Sequence, residues 1–292
     1  MENIWVIWGL TSAFSLATSD ALTKKAVGLH NEYLIGWLRL AISLPFLWLT
    51  LLMIPMPQLD RDFFQAFCIS LPLEVAATIL YVKALKSSPL SLTLPFLSLT
   101  PVFLILISYL LLGEEVSLSG AVGVAGIACG GYILNISDIR KGVWAPFAAI
   151  RRERGAVYMI IVSFIYAFTS SLGKMAIEHS SPLFFGAAYI TALVILLTPI
   201  ALYKGRNEVG LLFRNGAVRS SILPGLFQAI MIISHMTGMG LTKVAYLISV
   251  KRLSLLIGVV YGHLFFHEPG IRQRIAGTAL MVAGFLLIVL SR

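Results

Sequence analysis

The chain has 292 residues, 58% of them hydrophobic and only 12% charged, with a mean hydropathy of +0.90. Soluble domains carry roughly 25% charged residues, so this composition excludes a soluble enzyme and indicates an integral membrane protein. The net charge of +9 gives no support for nucleic acid as a partner, because the cations gather in short connections between apolar stretches, where a membrane protein keeps them.

Ten apolar stretches of about 20 residues can be placed, each near the length that crosses ~30 Å of hydrocarbon. They run approximately 4–26, 32–54, 63–86, 90–112, 117–136, 155–177, 182–203, 217–240, 243–266 and 270–290. Met1-Glu2-Asn3 supplies no basic region before the first stretch, which therefore reads as a retained helix and not as a cleaved signal. Short breaks marked by Pro, Gly or charge separate the stretches, as at Pro55-Met56-Pro57 and Lys204-Gly205-Arg206-Asn207. The longest break, 137–154, is basic and divides the chain into 1–136 and 155–292, each with five spans. Nothing is left over for a soluble domain.

The two halves look related. A shift of 154 residues places Glu114 on Glu268, Gly123 on Gly277 and Gly130 on Gly284 without a gap, and a shift of 150 places Lys24 on Lys174 and Gly36 on Gly186. Five spans per half is an odd number, so the second copy must cross upside down relative to the first. The expected fold is an all-α integral membrane protein of ten transmembrane helices, built as two inverted five-helix repeats. Such repeats recur in transporters with a site near the midplane.

Polar residues inside the spans carry the functional expectations. Asp20, late in span 1, and Arg39, early in span 2, come to similar depth in antiparallel helices and form a candidate ion pair, with coupling or gating as its other reading. Glu74 lies near the middle of span 3. It is a candidate to compete with an anion or take up a proton, against a fixed ion pair as the alternative. Pro95 and Pro101 free carbonyls in span 4, which a membrane tolerates only where protein or water serves them. Span 4 is thus a candidate lining helix, with Ser98 and Thr100 offering hydroxyls. Glu114 and Glu268 stand where one helix ends and the next begins, and both read as structural caps favoured by the exposed N–H groups there. Glycines in spans 5 and 10 suggest close helix contacts, either internal or in a homodimer. Lys83 and Lys174 can snorkel to an interface. Cys68 and Cys129 read as small buried hydrophobes.

The sharpest feature is Lys251-Arg252, about eight residues and ~12 Å into span 9. A charge at that depth costs at least ~2.5–3.5 kcal/mol, so the pair must face protein or a water-filled cavity, and an anionic ligand is its natural partner. Tyr246 in the same span and His235 in span 8 are candidates to reach that cavity and hydrogen-bond a substrate. His263 and His267 have no carboxylate at metal-ligand spacing, so no metal and no cofactor is expected.

The duplicated half, the Gly-Glu and His-Glu endings of spans 4 and 9, and the Gly-rich spans 5 and 10 resemble the EamA-type drug/metabolite transporter superfamily over essentially the whole chain. The resemblance implies export of amino acids and other metabolites, or exchange of nucleotide sugars and sugar phosphates. Val250-Lys251-Arg252 is also similar to the Lys-Arg pair with which triose-phosphate translocators hold phosphate. Those proteins carry a further lysine four residues before a proline in span 4. Here that proline is Pro101 and the position is Leu97, so one of three cations is absent.

No Gly-Lys-Ser/Thr loop occurs, which excludes ATP-driven transport within this chain. The expected function is secondary transport of a small anionic or zwitterionic metabolite, such as an amino acid or organic acid, by alternating access. Lys251 and Arg252 would hold the anion. An organophosphate or nucleotide-sugar exchanger is the alternative within that class, and a lipid head-group-handling protein the alternative outside it. Fifteen cations fall in the odd-numbered connections, against Arg61, Lys174, Lys243 and Arg292 elsewhere outside the span interiors. The positive-inside rule then puts 137–154 in the cytoplasm and both termini outside a cell membrane.

Overall fold

A computed structural model describes residues 4–87, 94–135, 154–266 and 275–290. Among them all regular structure is helical. In chain order these are α1 (Ile4–Val27), α2 (Glu32–Leu51), α3 (Arg61–Ser87), a 3₁₀ segment (Leu94–Leu99), α4 (Thr100–Leu112), α5 (Leu118–Asn135), α6 (Arg154–Glu178), α7 (Pro182–Lys204), α8 (Ala217–Met239), α9 (Val244–Lys251), α10 (Ser254–Phe266) and α11 (Ile275–Leu290), with one further turn at Arg206–Val209. The connection 137–153 and Glu268 lie outside the described residues.

Polarity is arranged as lipid would require. Ile7, Leu110 and Ile195 project outward at 60–70% exposure, while Ser12, Ser15 and Ser19 are buried on the inner face of α1. In water so many exposed large apolar side chains would be an aggregation liability. In hydrocarbon they cost nothing, and small polar residues let helices approach closely. Buried hydroxyls satisfy themselves on the preceding turn, as Ser171 Oγ does on Ala167 O (3.0 Å) and Ser221 Oγ on Ala217 O (2.8 Å). Among the described residues five segments are each long and apolar enough to cross a membrane, at Glu32–Leu51, Arg61–Tyr81, Arg154–Glu178, Pro182–Lys204 and Ala217–Met239. Two of the ten expected stretches are not continuous helices: 90–112 is divided at Leu99/Thr100 and 243–266 at Arg252/Leu253. These breaks fall at corresponding places, since Thr100–Leu112 and Ser254–Phe266 are both thirteen residues long and differ by the shift that aligns Glu114 with Glu268.

Packing between the halves is reciprocal. The first helix of each half lies against the third helix of the other (α1 on α8, α6 on α3), and α2 packs on α7 as α5 packs on α11. The α5–α11 contact uses the glycines. A Cβ on Gly123 would sit 2.7 Å from Gly284 O, and one on Gly130 2.7 Å from Gly277 O and 2.5 Å from Met281 Cγ. These glycine faces meet inside the chain, the internal one of the two kinds of contact that the sequence left open. Cys68 and Cys129 are exposed on the outer surface, contrary to the expectation of burial, because α3 turns Phe63, Ala66 and Ser70 inward and α5 turns Gly123, Val124, Ile127 and Gly130 inward instead.

The glycine contact has a diagnostic sign. Gly→Ala in an open helix position stabilises by about 1 kcal/mol, whereas Gly130→Ala must push α11 away and is expected to destabilise by about 1–3 kcal/mol. Gly126→Ala, with its nearest neighbour at 3.3 Å, should cost less. Thermal melts of the two variants in detergent decide it, and a stabilised Gly130→Ala would mean that the helices do not meet there.

Candidate functional site

The site is built where the two breaks meet. Span 4 breaks because Pro95 and Pro101 cannot donate to a helical ladder. Thr100 Oγ1 closes the 3₁₀ turn on Leu97 O (2.9 Å), and Pro101 takes the first turn of α4, where its missing donor is harmless. Span 9 has no such breaker. Its last turn tightens as Arg252 N shares Ile248 O (3.1 Å) and Ser249 O (3.0 Å), and α10 restarts with Leu255 N on Arg252 O (2.9 Å). Ser249 Oγ on Ala245 O (2.6 Å) is the kind of back-bond that bends helices. Lys251 ends α9, where the helix carbonyls favour a cation, and Arg252 stands in the gap.

Arg252 Nη2 donates to Thr100 Oγ1 at 2.9 Å, tying one break to the other. Arg252 is only 8% exposed, and among the described residues its Nε has no hydrogen-bond partner. His235 on α8 is equally buried, its Nδ1 likewise has no partner among them, and it lies within the field of both Lys251 and Arg252. A buried polar group without a partner costs about 1–3 kcal/mol. One such atom within the charged pair and another beside it are the mark of a site that a ligand or water completes.

Glu74 on α3 interacts with the Thr169 hydroxyl of α6 and with the Lys251 charge. Glu74 and Lys251 lie deep among the helices yet keep partial exposure, as a crevice between helices produces. Tyr81 and Tyr166 complete this group, both within reach of Arg252 and Asp20. Sequence reasoning missed these tyrosines, although Glu74, Thr78 and Tyr81 share a helix face by spacing. Asp20 and Arg39 do pair, with Arg39 Nη1 2.7 Å from Asp20 Oδ1. Gln228 of α8, also missed, accepts from Arg39 Nε at 2.8 Å.

Other expected site residues stand elsewhere. Tyr246 is 1% exposed and its hydroxyl lies 3.2 Å from Ser117 Oγ, one and a half turns from Lys251, so it packs against α5 rather than reaching the crevice. Ser98 is fully buried, against the face of α5 at Gly131. Glu114 does cap a helix, but not the one that follows it. Its Oε2 accepts from Val244 N (2.9 Å) at the start of α9, while Ser117 Oγ serves Gly120 N (3.2 Å) at the start of α5. The other Glu114 oxygen holds Lys174 Nζ at 2.5 Å, and that ammonium also donates to Thr242 O at 2.7 Å. Lys174 therefore does not snorkel: it is a buried ion-pair partner. Lys243 Nζ donates nearby to Glu115 O. No metal was expected, yet Asp60, Asp62 and His179 bring ligand-type atoms within 4.8 Å of one another.

Comparison with known proteins agrees with this architecture. A solved crystal structure superposes with a TM-score of 0.76 over 99% of this chain and 98% of its own, at 15% identity, which shows the fold alone. An uncharacterized transporter of Archaeoglobus fulgidus is 22% identical over 292 residues, covering 98% of each chain. The family model of EamA-like transporters matches residues 3–136 and again 153–290. With both halves matched and an apolar helical fold around a charged interior, the chain belongs to the EamA-like transporter family and is a membrane transporter.

Proposed function

We propose that the chain is a secondary transporter, an exporter or exchanger, that moves a small anionic or zwitterionic metabolite by alternating access between two inverted five-span halves. The observation that carries the reading is the meeting of two helix breaks around Arg252, with partnerless buried nitrogens on Arg252 and His235 beside Lys251. Breaks of this kind are how membrane transporters aim half-helix ends at a substrate, and the N-termini of α4 and α10 both begin at the crossing. Lys251 and Arg252 hold the anionic group. Glu74 is the coupling group, placed to meet an ammonium or to bind Lys251 when the site is empty.

An organophosphate exchanger is less well supported, because Leu97 is buried in an apolar cluster with Phe96 and offers no third cation. The reciprocal packing of the halves and the odd number of spans in each support the inverted plan. The charge distribution supports a cytoplasmic 137–154 connection with both termini outside the cell membrane. In that orientation the dense ties among Glu114, Lys174, Thr242 and Val244 close the outer face.

A thermal-shift panel tests the reading. Amino acids, organic acids, sugar phosphates, nucleotide sugars and cationic drugs are added to purified protein, and a ligand at 100 times its Kd should raise stability by about 2.7 kcal/mol. Stabilisation by carboxylates or amino acids is the expected result. Stabilisation by cations alone would overturn it.

A further inference from the structure

The passage from α7 into α8 sets Lys204, Arg206, Arg214 and Arg219 against a single carboxylate, Glu208. All four cations are exposed. Glu208 does not neutralise them, because it is turned toward the other half of the chain. Its Oε2 accepts from Asn31 N at 3.2 Å and lies 3.8 Å from His30 Nδ1, both in the turn after α1. Among the described residues none of the four cations forms an ion pair.

Two of the cations are held on an aromatic ring. Lys204 Nζ lies 5.8 Å and Arg206 Cζ 5.7 Å from the centroid of Tyr203, within cation–π range. That ring, in the last turn of α7, is itself 67% exposed. A tyrosine at the end of a membrane helix sits at headgroup level, so it fixes both cations at that depth. Phe213, in the same connection, is 85% exposed, and Leu202 and Leu211 are exposed as well. A soluble anion would use the cations and leave these apolar side chains idle. A lipid uses both.

We propose that the connection between α7 and α8 is a docking surface for an anionic phospholipid. Lys204 and Arg206 hold the phosphodiester beside Tyr203, and Arg214 and Arg219 add to the attraction. Arg206 contributes a planar fork that can meet two phosphate oxygens at once, and Lys204 a point charge. Leu202 and Phe213 offer the apolar surface for the lipid's hydrocarbon. Charge selects the lipid: a zwitterionic headgroup brings its own cation, which these side chains repel, whereas a net negative headgroup does not. The site also bears on the contact between the halves, since Lys204 O accepts from Asn31 Nδ2 at 3.3 Å. An occupied site should therefore stabilise the whole fold.

The test needs neither a substrate nor an assigned orientation. The full chain in mild detergent is titrated with phosphatidylglycerol or phosphatidylcholine, with retained lipid read by native mass spectrometry and stability by thermal unfolding. The native chain should retain phosphatidylglycerol in preference to phosphatidylcholine and melt higher with it. A Lys or Arg near an anionic surface is worth roughly five-fold in binding, so Lys204→Gln/Arg206→Gln should weaken the tightest phosphatidylglycerol by roughly 25-fold. Both side chains are exposed, so the fold should survive their loss. Arg272→Gln/Arg274→Gln removes the same charge elsewhere and should leave that lipid in place. Phe213→Ser, which changes no charge, should weaken it several-fold.

Equal retention of the two lipids would overturn the proposal. So would an equal loss in Arg272→Gln/Arg274→Gln, which would reduce it to diffuse positive charge, or an unchanged affinity in Phe213→Ser. Inorganic phosphate that stabilises the native chain but not Lys204→Gln/Arg206→Gln would make this a site for soluble anions instead. None of these failures would touch the reading at Arg252, which the ligand panel tests separately.

Discussion

Lys174→Met is expected to lower the stability of the transporter by about 3–5 kcal/mol, the cost of leaving a buried charge without its partner. The two side chains are only 10–11% exposed, and the Glu114 carboxylate also accepts from Val244 N at the start of α9. The same change removes the bond from the ammonium to Thr242 O in the turn leading into α9. Lys174→Met combined with Glu114→Gln should recover much of the loss, because no charge is then stranded and a glutamine oxygen can still accept from Val244 N. Thermal or denaturant unfolding of the two variants measures both effects. A Lys174→Met penalty within about 0.5 kcal/mol would mean that water screens the pair as it screens surface ion pairs.

Much of this architecture was legible in the sequence because lipid imposes a coarse and strict rule: about 20 apolar residues per crossing. The membrane setting and the Asp20–Arg39 pair followed from length, charge depth and spacing, and the family from the resemblance of the duplicated Gly- and Glu-bearing segments. What escaped was set by side chains that meet across the halves. Span 9 contains no proline or glycine near Arg252, so nothing local announced its break, whereas Pro95 and Pro101 did announce that of span 4. Glu114 was legible as a cap, but its target, Val244, lies 130 residues away and depends on how the halves dock. Tyr246 was misplaced for the same reason. Depth along a helix can be counted from sequence, but the face it presents depends on its neighbours, and Tyr246 turns toward Ser117 and α5 rather than toward Lys251.

Arg252→Met is expected to abolish anion binding while leaving the empty protein at least as stable as the native chain. Binding should weaken by about 2–5 kcal/mol, the cost of truncating one member of a buried, hydrogen-bonded charge pair, or roughly 30-fold to several thousand-fold in Kd. Stability should move the other way because the guanidinium gains little in return for its desolvation. Among the described residues its side chain has one hydrogen bond, to Thr100, and its Nε has none, whereas methionine fills a similar volume without a buried charge. Arg252→Lys restores the charge but not the planar fork, so it should recover only part of the affinity. These opposite signs separate the two roles open to a membrane-buried cation. A structural cation stabilises the empty protein and is indifferent to ligand. A binding cation is a burden on the empty protein that the substrate relieves. Unfolding of Arg252→Met with and without the best stabilising anion therefore decides the assignment: a large loss of stability in the absence of ligand would make Arg252 a structural counter-ion and move the search for the site to Glu74 and Asp20.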